Sequence, residues 1–380
     1  MEVYLDNSAT TRPYDEAVSL MCQTMTNIYG NPSSLHRMGK YAEDVLNKSR
    51  ETLAACIGCA PGEFYFTSGG TESNNLAIIG YAMANKRSGN RIITSQNEHA
   101  AVLEPFHQLE AMGFDVVYIG VDSFGFPDID SLKNAINEKT ILLSFMYANN
   151  ENGAIFPIDE ISSLCNHQSC VLHVDAVQGF GKLSLNVKKQ NIDMLSISSH
   201  KIHGPNGIGG LYVKNKLKIN PIVFGGGQEK GLRSGTENIA SAAAFAKASE
   251  IKLANMQSDN EKMLLIKSKL KQKLCEKIEN VVVNSPENSV CSILNVSFPG
   301  VKSEVLLHVL ESKGIYVSTG SACNSRKKKY SYVLSNMGLK PEIIDSAVRF
   351  SFSAFNTEEE INYVLEVLQK EIPILRKIMK

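Results

Sequence analysis

Between residues 63 and 198 the chain alternates short, nearly unbroken apolar runs with stretches of helical periodicity. The runs are "EFYFTS", "RIITS", "DVVYIG", "TILLSFMY", "CVLHVD" and "DMLSIS". Strands of such continuous composition are buried on both faces, as in parallel sheets covered by helices. Segments 71–87 and 157–167 supply amphipathic helices between them. The alternation predicts an α/β fold, an open and mainly parallel sheet between helices. Ligands of such sheets bind beyond the carboxyl ends of the strands, so the residues that follow each run are where chemistry is to be sought.

The rest of the chain reads differently. After a glycine-rich turn, "FGGGQEKGLRSGTEN", one long helical region is expected from 237 to 279. Its second half carries lysine on one side and leucine or isoleucine on the other, the pattern of a solvated helix joining two domains. "VVVNS", "ILNVSFP", "IYVST" and "VRFSF", with helices expected at 302–313 and 357–371, read as a smaller α+β domain. The expected division is a large domain over 15–255 and a small one built from 1–14 and 256–380. At 380 residues there is room for both.

Formal net charge is zero, so the global basic field that nucleic-acid binding needs is missing. No apolar run approaches the roughly 20 residues of a membrane span. "MEVYLDNSATTRP" has neither the basic nor the apolar part of a secretion signal, and a cytoplasmic protein is expected. Eight cysteines are scattered along the chain, as free thiols in a reducing compartment would be. Cys56 and Cys59 form a CxxC, and Cys165 and Cys170 flank His167, but neither pair has the neighbours to complete four ligands, so no metal site is expected.

Chemistry is suggested first by "SISSHKIHGPNGIGG". Lys201 directly follows an apolar strand, which aims its amine at the strand-end crevice rather than at open water. A partly desolvated lysine there can bond covalently to a carbonyl. Upstream, "VLHVDAVQG" ends its strand on Asp175, with Gln178 three positions on. Pyridoxal phosphate needs such a lysine for its aldehyde and a carboxylate for its ring nitrogen. Its phosphate needs donors, which "FTSGGTESNN" offers by passing from a strand through Gly69 and Gly70 into a helix start.

These motifs resemble those of the class V, fold-type I pyridoxal-phosphate enzymes, and within them the cysteine desulfurases of the NifS and IscS kind. The resemblance runs from "YLDNSATT" and "YGNPSSLHRMG" through "TSGGTESNN", "NEHAAV", "NNENGAI", "HVDAVQ", "SSHKIHGPNGIGG", "RSGTEN" and "STGSAC" to "VRFSFSAFNTEEEI". It implies Lys201 as the cofactor lysine, Asp175 as partner of the ring nitrogen, and His99 as the histidine that stacks on the ring and moves protons. It places Gln178 and Asn150 near the ring's phenolic oxygen and the substrate, and Gly70, Thr71, Ser198 and His200 at the phosphate. Thr236 matches a phosphate contact supplied by the second subunit, so a homodimer is implied. Arg349 matches the clamp of the substrate carboxylate.

Cys323 lies in "STGSACNSRKKKY", among small residues and before four consecutive cations, in no company for a structural thiol. By resemblance it is the nucleophile that takes sulfur from L-cysteine as a persulfide, leaving alanine, for transfer to an acceptor protein. Neighbouring cations favour the thiolate that this needs. The acceptor is open between iron–sulfur cluster assembly, tRNA thiolation and thiamine synthesis. "ILRKIMK" ends the chain without the tail that housekeeping members use on the iron–sulfur scaffold, and Ala354 stands where many members carry arginine. Competing readings are a selenocysteine lyase or another class V aminotransferase, and a catalytically silent sulfur-relay scaffold.

Overall fold

The computed structural model describes residues 1–167, 170–319 and 330–379. After β1 (Val3–Tyr4) come the strands of a seven-stranded sheet. They are β2 (Phe64–Thr67), β3 (Arg91–Ser95), β4 (Asp115–Ile119), β5 (Thr140–Met146), β6 (Val171–Asp175), β7 (Met194–Ser198) and β8 (Gly209–Val213). The spatial order is β2-β8-β7-β6-β5-β3-β4, and the pairs from β7 to β4 are all parallel. All six apolar runs are therefore strands, and four of the five parallel ones, β3 to β6, follow a helical crossover.

Alternate side chains of these strands enter opposite layers, as the two-residue strand period requires. Ile92, Leu142 and Met194 pack with Leu76, Val102 and Phe106 of the helices that follow β2 and β3. Ile93, Leu143 and Leu195 pack with Leu53, Ile57 and Phe245 on the other face. Inside the sheet, the buried His173 ring joins three strands, with Nδ1 2.8 Å from Ser144 Oγ and Nε2 2.9 Å from Ser196 Oγ.

β8 was not foreseen. It runs antiparallel to both β7 and β2, which it joins. The sequence reads "GIGGLYV" as the end of a turn, yet its glycines serve a strand. A Cβ on Gly210 would stand 2.2 Å from the Phe64 ring, so only glycine lets that ring pack on β8.

The expected helix 237–279 is two helices, Ile239–Ala254 and Met256–Lys277, broken at Asn255. The first is buried almost all round between the sheet and the helices Asp15–Asn27 and Arg37–Ile57. Lys252 and Asp259 pair at 2.7 Å across the break.

The remaining strands are β9 (Val282–Val283), β10 (Ile293–Ser297), β11 (Ile315–Tyr316) and β12 (Ala347–Ser351). β12, β10 and β9 form an antiparallel sheet, and β11 pairs in parallel with β1. A second core gathers Leu294, Val296, Val348 and Phe350 with Leu306, Leu365 and Leu368, and includes Val3 and Leu5 from the N-terminus. The last helix runs from Glu358 to Ile378, past the expected end at 371 and through Pro373, because Ile372 and Leu375 are buried in this core.

The edge strand β2 is held by a buried ion pair. Arg50 Nη1 and Nη2 each donate to Glu229 at 2.7 Å, and Phe66 N donates to the same carboxylate at 2.9 Å. Removing one partner of such a pair strands the other charge at a cost of about 3–5 kcal/mol, whereas an apolar replacement of both is far milder. Urea unfolding is expected to show that loss for Glu229→Ala, and a much smaller one for Arg50→Met combined with Glu229→Leu.

Candidate active site beyond the ends of β6 and β7

A cavity of about 250 Å³ opens where the large sheet's strands end and the N-terminal segment crosses them. Its walls bring together Gly70, Thr71, His99, Asn150, Asp175, Gln178, Ser198, His200, Lys201 and Arg349, the described residues singled out from sequence except for one. That one, Thr236, is exposed and does not line this cavity. Cys323 and the cations 326–329 lie outside the described residues.

β6 ends on Asp175 and β7 on Ser198, and their parallel pairing sets the two strand ends side by side. Asp175 Oδ1 accepts from Val177 N at 2.9 Å and Oδ2 from Asn74 Nδ2 at 2.7 Å. A single turn after β7 carries Lys201, whose Nζ donates to the carbonyls of Ser8 at 2.5 Å and Ala9 at 2.8 Å. Gln178 Nε2 donates to the same Ser8 carbonyl at 3.0 Å.

His99 caps the helix Ala100–Ala111, its Nδ1 accepting from Ala101 N at 3.1 Å. Nδ1 is thus an acceptor, and the neutral ring keeps its proton on Nε2. Burial lowers the His99 pKa, with Asp175 opposing and Lys201 adding to the shift. Burial likewise lowers His200 to about 4, helped by the charges of Lys201 and Lys182.

Arg349 reaches the cavity from β12. It is 2% exposed and donates from Nη2 to Asp6 Oδ1 at 2.7 Å and from Nη1 to the Asn150 carbonyl at 2.9 Å. Among the described residues, Arg349 Nε, Asn150 Oδ1, Asn74 Oδ1 and Ser8 Oγ are buried without partners. Polar atoms left so are costly unless something binds them. Their arrangement fits pyridoxal phosphate, with a lysine, a carboxylate, hydroxyls and a helix start for an anion. At that start, a Cβ on Gly70 would stand 2.6 Å from Val177 Cγ2, so glycine keeps the wall open.

Ser8 and Asn74 were not singled out from sequence, although both lie in quoted motifs, "YLDNSATT" and "TSGGTESNN". The chain re-enters the described structure after 329 on two further turns of the site. Tyr332 Oη donates to the Glu98 carbonyl and Ser331 Oγ to Glu151 Oε2, each at 2.5 Å. Among the described residues, no group of three or more His, Cys, Asp or Glu is placed to hold a metal. Burial pushes the Cys56 thiol up to about 11 and Cys59 up to about 12, which suits inert core thiols.

Residues 3–364 match the family model described as aminotransferase class V, and the chain belongs to that family. Within it, the chain is 43% identical to cysteine desulfurase IscS of Clostridium botulinum, over 99% of this chain and 96% of that protein. A solved structure of a NifS-like protein superposes with a TM-score of 0.93 at 37% identity, covering 98% of this chain and 100% of its own. SspA in complex with cysteine does so with a TM-score of 0.82 at 32% identity, covering 93% and 100%.

Burial also holds His173 down to about 3 and His203 to about 4. An unfolded imidazole titrates near about 6.5. As pH falls below that value, the unfolded chain takes up protons that these folded rings refuse, so their contribution is whole above it and lost toward acid. Glu98 and Glu151, raised by burial, act in the opposite sense and favour the folded state at low pH. His173→Gln is expected to flatten the loss of stability between neutral pH and pH 5, read from urea midpoints; an unchanged slope would contradict a ring buried neutral.

Proposed function

We propose that this chain is a cysteine desulfurase dependent on pyridoxal phosphate, with the roles given below. The observation that carries the reading is the meeting of Lys201, Asp175, His99 and Arg349 in one cavity. When bound, the cofactor supplies an electron sink for charge developing on the amino acid. Lys201 would hold it covalently, and Asp175, fixed by Asn74 and Val177, would pair with its ring nitrogen. Gly70, Thr71, Ser198 and His200 take the phosphate. Because His200 stays neutral at physiological pH, it acts there as a hydrogen-bonding group.

Arg349 is the carboxylate clamp. Asp6 and Asn150 hold two of its nitrogens in place, and the unpartnered Nε supplies a further donor, which suits planar recognition of a carboxylate. His99, with its tautomer set by Ala101 N, offers Nε2–H for proton movement at the cofactor. Lys201, once released, stands ready to move the substrate's α-proton.

Cys323 is the sulfur acceptor. Its thiolate attacks the sulfur of cysteine, the Cβ–S bond breaks, and a proton returns to Cβ, so that cysteine and the thiol become alanine and the Cys323 persulfide. Ser331 and Tyr332, eight and nine residues after it, are tethered to Glu151 and Glu98, the neighbours of Asn150 and His99 of the cavity. A persulfide carrier needs a reducing compartment, and a cytoplasmic location belongs to the same reading.

A homodimer completes the site. Thr236 is exposed, lies outside its own chain's cavity and comes three residues after Arg233, which is anchored to Glu72 at 2.7 Å; that placement suits a contact with a neighbouring subunit's phosphate. The separate cores support the division into 15–255 and 1–14 with 256–380. Persulfide sulfur then passes to an acceptor protein serving cluster assembly, tRNA thiolation or thiamine synthesis.

Lys201→Ala is expected to yield protein without borohydride-reducible cofactor; label fixed in the variant to another lysine in wild-type yield would refute the assignment. Cys323→Ser is expected to keep the bound cofactor's colour and its response to cysteine, yet form no persulfide detectable by mass spectrometry. Alanine formation by that variant at the wild-type rate would assign the nucleophile elsewhere.

A further inference from the structure

Lys182 has no part in the reading above, yet its placement is costly. It lies four residues after Gln178, within the turns that follow β6, and is only 8% exposed. Its Nζ has three donors and, among the described residues, makes one hydrogen bond, to Gln178 Oε1 at 2.8 Å. Among the described residues it has no carboxylate partner; the charged groups around it are Lys201, Lys252 and Arg349, with the Cys291 thiol. Asp259 answers Lys252 instead. A methionine or leucine of similar length would be cheaper to bury.

What the lysine supplies is direction. A glutamine amide has nearly the same shape either way round, and its oxygen and nitrogen are told apart only by their partners. In its protonated form, which prevails below the value of about 7 to which burial lowers it, the amine only donates, and this turns the Gln178 oxygen toward Lys182. Nε2 must then face the Ser8 carbonyl, 3.0 Å away, and the cavity. The Ser8 carbonyl also receives Lys201. A chain of contacts thus runs from the buried ammonium through the amide and one carbonyl to the lysine at the cavity wall.

We infer that Lys182 is a positioning residue that locks the Gln178 amide with its N–H, and not its oxygen, toward an anionic or phenolic oxygen of the bound cofactor or substrate. Without it only the Ser8 carbonyl orients the amide, and the Gln178 oxygen loses the donor that holds it. This rests on the desulfurase reading for the identity of the ligand, and on the geometry alone for the direction of the amide. Asn260 Nδ2, donating to the Lys182 carbonyl at 2.7 Å, fixes the backbone from which the side chain reaches back.

The test is a double-mutant cycle on apo-protein titrated with pyridoxal phosphate and followed by absorbance, with circular dichroism to check folding. Lys182→Met and Gln178→Ala are each expected to weaken binding about tenfold, the loss of one well-placed hydrogen bond. The double variant should be no weaker than the worse single one, because both changes remove the same contact. Lys182→Arg, which also only donates, should restore binding to near the wild-type value. A purely structural lysine would instead give losses that multiply in the double variant, and that result, or unchanged binding by Lys182→Met, overturns the assignment. If Lys182→Met does not fold, Lys182→Gln replaces it in the cycle with the same expectations in weaker form, since its amide can donate or accept. A wild-type chain that shows no saturable binding overturns the desulfurase reading and this one together; binding by wild type with multiplying losses overturns this one alone.

Discussion

The Ser8 carbonyl accepts hydrogen bonds from both Lys201 and Gln178, and the cavity is built around that one acceptor. The residues beside it are held just as firmly. Asp6 pairs with Arg349, Asn7 Nδ2 donates to the Ser351 carbonyl at 2.9 Å, and Ser8 N donates to Ser351 Oγ at 2.8 Å. The N-terminal segment is thereby the seam between the large sheet, which carries Asp175 and Lys201, and the small one, which carries Arg349. A displaced seam would leave a buried arginine without its carboxylate and a lysine without its carbonyls, each far more costly than a lost surface contact.

Charge is distributed across this seam in a consistent way. Lys201 and Arg349 bring positive charge to the cavity wall, with Lys182, lowered by burial to about 7, behind Gln178, while Asp175 and Asp6 are each already held by donors. The histidines are kept neutral by burial and so add no further repulsion. Such a cavity favours an anionic ligand, and it does so where the low local dielectric makes each contact count for more than it would in water. The glutamates behind it, Glu98 and Glu151, are pushed toward their neutral form, so they support the turns without cancelling the field.

How much of this could be read from the sequence follows from the range of each interaction. The central strands were legible because burial on both faces writes itself locally, as runs of apolar residues. The site residues that directly follow strands were legible for the same reason, since the topology puts strand ends in one crevice. β8 was not, because glycines that accommodate the Phe64 ring look like turn glycines until the ring is seen. The break at Asn255 was hidden by helical periodicity on both sides. Ser8 acts through its backbone, which carries no residue-type signal, and Asn74 and Lys182 act through Asp175 and Gln178. Arg349 was marked by its motif, but its partner Asp6 lies 343 residues away, beyond any local pattern.

That separation also sets an order of events while the protein is being made. β1 pairs with β11 and Asp6 with Arg349, so residues 3–6 wait for residues 315–349. The large sheet has all its strands once Val213 is out, and its core can condense early. The cavity cannot, because the carbonyl that receives Lys201 is fixed by a strand synthesised at the end. During elongation the N-terminal segment is a loose strand with open edges, the kind of segment that chaperones hold. Cofactor capture is accordingly a late step, and a chain stopped before β12 would fold its larger core without closing the pocket.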